Sequence, residues 1–406
     1  MSTYTEEDIT KLLTWACAYG DMAKMNKVIS YKRKLMEEFQ QEIIDLGLNF
    51  DRCTLFDAFQ QQHAPPLIVA ATNDHPDIAK KLVNEGASVD VTDDNGMTAL
   101  HHAAEWRRTD IIRYLMSAKC SVTVKDSRSY TALHYACLYD EGNYGVDEFE
   151  YDDDYEDRLA DARALDSEII KELIGAGADV NAIGPDGNTP LHYALAKGYN
   201  MDALRVLVEK ANVRITDNDG GTALYSARSK EHMEFLVEAG WNVHAEDFKG
   251  NTPLHVAARR SRFRYQHDDE CIPYLLDSGA SIDAVNDAGE TPLYIVCAVV
   301  GDRNAGVDVT MVQTFIDRGA NFLLQTKNGK SPLDVAEEQA SERPSFEKVL
   351  LYMKKHPWYR RRSFIVMRPH KDQIKHPLTP LGRLVTATNR SENDLFSIKK
   401  KVASYL

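Results

Sequence analysis

Four histidines stand at one position of a recurring sequence pattern. His101, His134, His192 and His255 each follow a leucine and lie three residues after a threonine. Histidine commonly serves as a general base near neutral pH, and its neutral ring is a frequent metal ligand. A histidine bonded to its own helix start would instead be a structural strut. The pattern therefore raises three alternatives, namely a catalyst, a ligand and a strut.

An acidic segment suggests calcium chemistry, because Asp152, Asp154 and Glu156 alternate as the first ligands of a calcium-binding loop do. The rest of the segment does not fit that loop. Asp157 stands where the loop requires glycine, and Arg163 stands where it requires its closing glutamate. We therefore interpret the segment as a solvated acidic loop, and we expect no metal or other cofactor.

A basic segment, "ARRSRFRYQHDDE", carries four arginines interleaved with Phe263 and Tyr265. It could hold an acidic peptide or a phosphate, or it could be a solvated loop. The chain has no nucleophile elbow, phosphate-binding loop, HExxH motif or kinase signature. These observations favour a protein that is not an enzyme and has no catalytic residues.

The elements that position these residues follow from an internal repeat. Each copy contains a marker leucine, directly before the position of the recurring histidine, and ends at a closing residue. From each closing residue to the marker leucine of the next copy the distance is 14 residues in every case. All length variation therefore falls between the marker leucine and the closing residue of the same copy. Indels confined to one turn of each copy are typical of surface loops. The marker leucines are Leu67, Leu100, Leu133, Leu191, Leu224, Leu254, Leu293 and Leu333.

The motif T-[PA]-L-H, the paired small alanines and the closing G-A-D-V-N resemble the ankyrin repeat family over about residues 64–353. The resemblance implies about eight repeats in an all-α ankyrin-repeat solenoid, each repeat being a helix, a turn, a second helix and a hairpin. One such repeat cannot bury its apolar face alone, so neighbouring repeats must stack. In this family the motif histidine bonds the threonine of its own motif and nearby backbone, which favours the strut.

Local chemistry is consistent with these elements. Thr189 can cap a helix, and Pro190 suits the first helical turn, where no backbone N–H is needed. Gly177 ends the preceding helix in the left-handed conformation. Lys119 and Lys210 replace that glycine in two repeats, at a local cost of about 1 kcal/mol if the geometry is kept.

Ankyrin repeats usually bind partners through the hairpin tips and the exposed side of the first helices, so the resemblance implies a protein–protein interaction scaffold or adaptor. Aromatic and arginine residues anchor interfaces most often, and the aromatic anchors expected here are Trp106, Tyr130, Tyr139 and Phe248. The predicted partner-binding residues are Asp94, Asn95, Met97, Glu105, Trp106, Ser127, Arg128, Tyr130, Leu138, Tyr139, Asp186, Asn188, Lys197, Asp219, Phe248, Lys249, Asn251, Arg259 and Arg260.

Three regions are expected along the chain. Residues 1–63 form a degenerate capping repeat followed by an irregular, partly helical insertion. Residues 64–353 form the repeat array, with an acidic insertion at 140–166 whose net charge is −10. Residues 354–406 form a basic tail with a net charge of +10, which leaves −24 on residues 1–353.

Composition limits the classes of partner and compartment. The net charge of −14 argues against nucleic-acid binding by the whole chain. Six cysteines without CxxC spacing indicate reduced thiols, and therefore a cytoplasmic or nuclear protein. We expect no secretory signal at the polar N-terminus and no transmembrane segment, since the longest apolar run is about half of what a bilayer requires.

The tail suggests further roles. "HPLTPLGRLVTATN" resembles the start of a SOCS box, with Leu378, Leu381 and Arg383 in matching places, but Gly382 and Thr386 depart from its pattern. The alternative function is therefore a substrate-recognition adaptor of a ubiquitin ligase. The basic clusters of the tail could serve nuclear import or membrane-surface binding. The opposite charges of the tail and the acidic insertion also suggest an intramolecular contact, against the simpler interpretation that both are solvated.

Overall fold

The computed structural model describes residues 13, 15–38, 55–57, 62–138, 155–197, 201–260, 270–298, 309–340 and 344–356. They belong to two units, Met1–Asn218 and Asp219–Leu406, each built from stacked helix pairs. The predicted all-α fold of helix, turn, helix and hairpin is confirmed. The marker leucines are all at most 1 % exposed, as expected for the core positions of stacked repeats.

The N-terminal unit begins with helical residues 15–19 and the helix Met22–Glu38. The insertion expected to be irregular and partly helical also contains two antiparallel strands, Leu55–Asp57 and Gln62–Ala64. The helix pairs that follow are Pro66–Thr72 with Pro76–Asn84, Ala99–Glu105 with Thr109–Ser117, Ala132–Leu138 with Tyr155–Gly175, and Pro190–Lys197 with Met201–Lys210.

The C-terminal unit begins with a shortened repeat, whose first helix is the single 3₁₀ turn Ala223–Tyr225 followed by Lys230–Glu238. Its other pairs are Pro253–Arg260 with Cys271–Asp277, Pro292–Cys297 with Val309–Asp317, and Pro332–Ala340 with Pro344–Lys355. Two of the first helices in this unit begin with a proline that follows a threonine, as at Pro292 and Thr291. Small residues in the first helices, such as the buried Ala257 and Ala258, allow close stacking.

The acidic insertion is not a loop throughout, which corrects the expectation for residues 140–166. Its last part belongs to the 21-residue helix Tyr155–Gly175, whereas residues 140–154 lie outside the described part of the chain. The segment is rich in alanine, leucine, arginine and glutamate, which are good helix formers. Ion pairs from Arg107 to Asp166 and from Arg113 to Glu168 and Glu172 tie this helix to the preceding repeat.

Among the helices of the described ranges, none combines the length and the apolar character needed to cross a bilayer.

Candidate partner-binding surface

The recurring histidines hold their own helix starts together. In the Leu100 repeat, His101 Nδ1 accepts the N–H of Thr98 at 3.0 Å and lies 2.8 Å from its hydroxyl. His134, His192 and His255 make the same two contacts with their threonines, at 2.9–3.2 Å. The predicted bonding of the histidine to its own threonine is confirmed, and it follows the logic of a capping box.

The other ring nitrogen of His101, His134 and His255 reaches the following hairpin. His101 Nε2 lies 3.3 Å from the carbonyl oxygen of Tyr130, and His255 Nε2 lies 3.1 Å from that of Glu290. A neutral ring protonated at Nε2 satisfies both contacts. Burial lowers the pKa of His101, and it lowers the pKa of His134 and of His255 to about 4, which favours the neutral form.

Four repeats carry another residue at this position, namely Ile68, Tyr225, Tyr294 and Asp334, and two of them illustrate how a different side chain bonds there. The Tyr225 hydroxyl donates to the carbonyl oxygen of Asn251 at 2.6 Å, the acceptor equivalent to that of the histidines. Asp334 accepts the N–H of Ser331 at 2.8 Å and therefore caps its helix. Histidine, tyrosine and aspartate all form stabilising hydrogen bonds at the position after the marker leucine. Because these side chains differ in chemistry, the position has a structural role. In the described ranges, no three His, Cys, Asp or Glu side chains converge as a metal site.

Backbone hydrogen bonds link several neighbouring hairpin tips within each unit. Ser127 N–H donates to the Asn95 carbonyl at 2.8 Å in the N-terminal unit. Phe248 N–H donates to the Asp219 carbonyl, and Asp287 N–H to the Lys249 carbonyl, both at 2.8 Å, in the C-terminal unit. A tip fixed at its backbone presents its side chains in one orientation, which lowers the entropy cost of binding.

The predicted partner-binding residues occupy three environments. Those exposed are Asp94, Asn95, Ser127, Arg128, Asp186, Lys197, Asp219, Phe248, Lys249 and Arg259. Those half-buried are Glu105, Trp106, Tyr130, Leu138, Asn188 and Arg260. Tyr139 lies outside the described residues. The remaining two, Met97 and Asn251, are buried.

The expectation of partner contact is wrong for Met97 and Asn251. Each immediately precedes the threonine of its motif, and in these two repeats the side chain at this position is buried. Met97 Sδ lies 3.6 Å from the Tyr135 hydroxyl. The Asn251 side chain donates to Asp247 at 2.8 Å and accepts from Asn286 at 3.0 Å. Both residues therefore stabilise hairpins.

Arg260 has a structural contact as well. Its guanidinium donates to the carbonyl oxygens of Ala227, at 2.7 Å, and Tyr225. Tyr225 is the last residue of the shortened first helix of the Leu224 repeat, and Ala227 follows its C-cap, Ser226, so both carbonyls lie at a helix end that lacks further helical donors. Arg260 caps that helix from the next repeat, whereas the neighbouring Arg259 is exposed.

An aromatic cluster lies on the first helices and hairpins of the N-terminal unit. The ring of Tyr130 packs 5.6 Å from that of Tyr135 and 5.8 Å from that of Tyr193, centroid to centroid. The Tyr130 and Tyr193 hydroxyls are 3.3 Å apart. Tyr135 and Tyr193 were not predicted as site residues, although each lies in a first helix beside the motif histidine of its repeat.

Polar pairs connect the hairpin aspartates to the first helices in two repeats of this unit. His102 Nε2 lies 3.0 Å from Asp93 Oδ2, and the Tyr135 hydroxyl donates to Asp126 Oδ2 at 2.6 Å. Each partner follows its aspartate by nine residues, a spacing that the sequence contains but that only the fold explains. Burial raises the pKa of the nearby Glu105 carboxyl, which lies 3.9 Å from His102.

Among the described residues of the C-terminal unit, Phe248 is the most exposed large apolar residue, with 73 % of its surface accessible. Its hairpin is rigid, because Asp247 Oδ1 accepts the N–H groups of Lys249 and Asn251, both at 2.8 Å. The ring leans on Gly220, where an added Cβ would come within 2.8 Å of it. Gly220 therefore leaves room for the ring at this tip.

A family model described as ankyrin repeats matches three stretches of the chain, residues 67–147, 160–247 and 202–285, which together cover slightly more than half of it. A protein named as a palmitoyltransferase, ZDHHC13 of Danio rerio, is 28% identical over 177 residues, covering 42% of this chain and 26% of its own length. The nuclear factor NF-kappa-B p105 subunit of Gallus gallus is 29% identical over 136 residues, covering 32% of this chain and 13% of its own.

The chain thus spans about a quarter or less of the length of these curated relatives. A solved structure, the ankyrin repeat domain of Bcl-3, shares 24% identity and has a TM-score of 0.44, covering 57% of this chain and 92% of its own.

Proposed function

Because the chain belongs to the ankyrin repeat family, we propose that it is a non-enzymatic scaffold or adaptor that recognises a protein partner through its hairpin tips and first helices. The ankyrin repeat is generally a non-enzymatic interaction module. The similarity to the palmitoyltransferase covers 177 residues and does not extend that protein's activity to this chain. Each unit is proposed to contribute its own surface.

One observation carries the proposal: Phe248 is exposed on a hairpin whose backbone is fixed. An exposed phenylalanine contributes little to the stability of its own unit, since most of its ring stays in water. A rigid aromatic side chain loses little conformational entropy on binding, and aromatic anchors supply much of the energy of interfaces. Phe248 is flanked by Lys249 and Asp219, 3.6 Å apart, which provide a polar rim.

Affinity capture with Phe248→Ala tests this function. The full-length chain and the variant would be used as bait, and the recovered proteins quantified by mass spectrometry. We expect at least one specific partner to fall by about tenfold or more, as for the loss of an interface anchor. Leu351→Ala is the matched control, because Leu351 is also an exposed apolar residue of the same unit but lies on a second helix.

Partners that are recovered equally with both variants would contradict a role for this hairpin. Equal losses with Phe248→Ala and Leu351→Ala would point to nonspecific apolar binding instead. A thermal melt of each variant separates a change of binding from a change of folding.

The ubiquitin-ligase adaptor remains the alternative function, and its support is the sequence around Leu378, Leu381 and Arg383 alone. These residues lie outside the described part of the chain. The same capture with residues 354–406 deleted is the test. Loss of elongin-type and cullin proteins on deletion would favour the adaptor, and their absence from both samples would exclude it.

The contact between the basic tail and the acidic insertion is also proposed on charge alone, because residues 357–406 and 140–154 lie outside the described ranges. A peptide of residues 368–406 would be titrated into residues 1–367, with and without residues 140–165, at low and high salt. Binding that needs the insertion and weakens with salt would support the contact. Equal or absent binding would exclude it.

We propose a cytoplasmic or nuclear location. Cys17, Cys120, Cys137, Cys271 and Cys297 are buried as free thiols, and burial raises the pKa of Cys120 to about 11. Thiols kept protonated in a helical core suit a compartment that does not form disulfides. Imaging of the tagged full-length protein tests the location.

A further inference from the structure

We propose that Arg128, with the rings of Tyr130 and Tyr193, forms a receptor for one carboxylate side chain in an extended segment of the partner. The inference deepens the proposed function, because it assigns the chemistry of the partner to one place in the N-terminal unit. It rests on the contacts of one hairpin and on its comparison with the other hairpins of the chain.

The guanidinium of Arg128 is held in place and is still open to solvent. Its Nη2 donates to the Tyr135 hydroxyl at 2.6 Å, and its Cζ lies 5.3 Å from the centroid of the Tyr130 ring. The side chain is nonetheless 63% exposed. Within the described residues, Nη1 makes no hydrogen bond. A planar guanidinium fixed on one side and open on the other is suited to a carboxylate.

The carboxylate of the neighbouring Asp126 accepts no hydrogen bond from the guanidinium of Arg128. Asp126 Oδ1 accepts the N–H groups of Arg128 and Tyr130 at 2.9 and 2.8 Å, and Oδ2 accepts the Tyr135 hydroxyl. Its carboxylate forms an ion pair with Arg128 Nε at 3.7 Å, a separation longer than a hydrogen bond. This aspartate therefore holds the turn.

Two of the other hairpins show the same aspartate bonds without an arginine beside them. Asp93 Oδ1 accepts the N–H groups of Asn95 and Met97, both at 2.9 Å, and Asp247 makes the equivalent bonds in the C-terminal unit. The residue at the place of Arg128 is Asn95 in one and Lys249 in the other. The turn does not require an arginine, so the guanidinium is available for a ligand.

The groups around Arg128 can contact the backbone and a second side chain of the ligand, in addition to its carboxylate. Tyr130 and Tyr193 are half-buried, and their rings pack together and offer an aromatic surface to a neighbouring side chain of the ligand. The next hairpin has Pro185 where the others donate a backbone N–H, and the Arg128 carbonyl makes no hydrogen bond within the described chain. That carbonyl can accept an N–H from an extended segment lying along the tip.

The charge of the region limits the ligand to a single acid. Residues 1–353 carry a net charge of −24, and the exposed Asp94 and Asp186 are on the two hairpins that flank Arg128. A run of acidic residues would be repelled by these carboxylates. The ligand that fits is therefore a neutral or basic segment with one carboxylate next to an apolar residue. The carboxylate binds the guanidinium, and the apolar residue packs on the tyrosine rings.

Peptide selection tests the receptor on the full-length chain. A phage library of random dodecamer peptides would be panned on the wild-type protein and, in parallel, on Arg128→Gln. On the wild type we expect a single Asp or Glu beside an apolar residue to be enriched, and on Arg128→Gln we expect this pattern to be lost. A synthetic peptide carrying the pattern should bind about tenfold more weakly to Arg128→Gln than to the wild type.

Two controls make the result specific. Replacing the acid of the peptide by its amide should cause a similar loss, and no further loss on Arg128→Gln, since the two changes remove the same contact. Arg205→Gln, at an exposed arginine on the second helix Met201–Lys210 of the same unit, should leave the affinity unchanged.

Selected peptides without an acid, the same peptides on both proteins, or no selected peptide would each overturn the receptor. These outcomes are independent of the affinity capture with Phe248→Ala, so the receptor and the proposed scaffold function are tested separately.

Discussion

At the scale of single residues, Lys119 shows how a repeat tolerates a substitution against its pattern. Its φ is +61°, at the place where Gly86 and Gly177 have φ of +98° and +94°. The geometry predicted from the glycine pattern is therefore kept at Lys119, at a cost to a side chain that carries a Cβ. It is not kept at Lys210, which is instead the last residue of the helix Met201–Lys210.

This difference predicts opposite effects of one substitution. Lys119→Gly should stabilise the N-terminal unit by about 1 kcal/mol, because glycine adopts positive φ without strain. Lys210→Gly should destabilise it by up to about 1 kcal/mol, because glycine is a poor helix former. Urea unfolding of the two variants measures both changes. Both lysines are exposed, so loss of packing does not confound the comparison. Changes of the same sign would refute the assignment.

Asp283 provides a second prediction at this scale. Burial raises the pKa of its carboxyl to about 6, although its Oδ1 accepts the N–H of Asn321 at 2.9 Å. A raised carboxyl pKa means that the folded chain favours the protonated form. Its contribution to stability is therefore lost as the pH rises from about 4 to about 6.

Asp283→Asn should consequently stabilise the C-terminal unit at pH 8, by about 1 kcal/mol after allowing for partial solvent screening, and give no gain at pH 4. Asn181 shows that asparagine fits this place, since it accepts the N–H of Asn212 at 2.8 Å in its own repeat. Asp90→Asn is the control, because Asp90 makes the same bond but is exposed. A gain that does not depend on pH would refute the argument. Thermal melts at the two pH values give the result.

At the scale of helices, Arg260 compensates for the shortened first helix of the preceding repeat. Arg260→Met keeps an apolar stem of similar length but removes the donors to the Tyr225 and Ala227 carbonyls. We expect a loss of about 1–3 kcal/mol in the free energy of unfolding, as for buried acceptors left without a partner. Arg259→Met should change stability by less than about 0.5 kcal/mol, because Arg259 is exposed. Equal effects in urea unfolding would contradict the capping role.

The same helices show where the sequence was sufficient and where it was not. The marker leucines set the register of every repeat, and that register placed Phe248 on an exposed tip. The sequence shows that the repeat of Leu224 is short. It could not show that the carbonyl oxygens of Tyr225 and Ala227 accept from Arg260, because only the stacking of the two repeats brings these groups together. Acidic composition predicted a loop up to residue 166, whereas tertiary ion pairs from Arg107 and Arg113 accompany a helix there. Likewise, the sequence did not identify Tyr135 as a site residue, because its hydrogen bond to Asp126 is apparent only in the fold.

At the scale of the whole molecule, the buried histidines predict a shared sensitivity to acid. Burial lowers the pKa of His101, His134 and His255 below that of an unfolded histidine. The unfolded chain therefore binds more protons below about pH 6.5, and stability falls as the pH falls from there towards 4. For His134 and His255, whose pKa is about 4, the full effect is on the order of 3 kcal/mol each.

Urea midpoints at pH 7.5 and pH 5.5 measure this fall over a range in which most carboxylates stay ionised. His255→Tyr is the informative variant, because Tyr225 already bonds the equivalent carbonyl in another repeat. Its midpoint should fall less between the two pH values than that of the wild type, whatever its stability at pH 7.5. Equal falls would show that His255 does not contribute.

The bonded row of hairpin tips has a consequence for how such a chain can diverge. Insertions fall in the turns between paired helices, whereas the bonds from Ser127 to Asn95 and from Phe248 to Asp219 fix the opposite edge. Growth of the chain and change of its binding specificity are thereby separated. A lineage can lengthen a turn without moving the tips, and it can replace a tip side chain without altering the stack. Homologues of very different length should therefore keep the same tip-to-tip spacing.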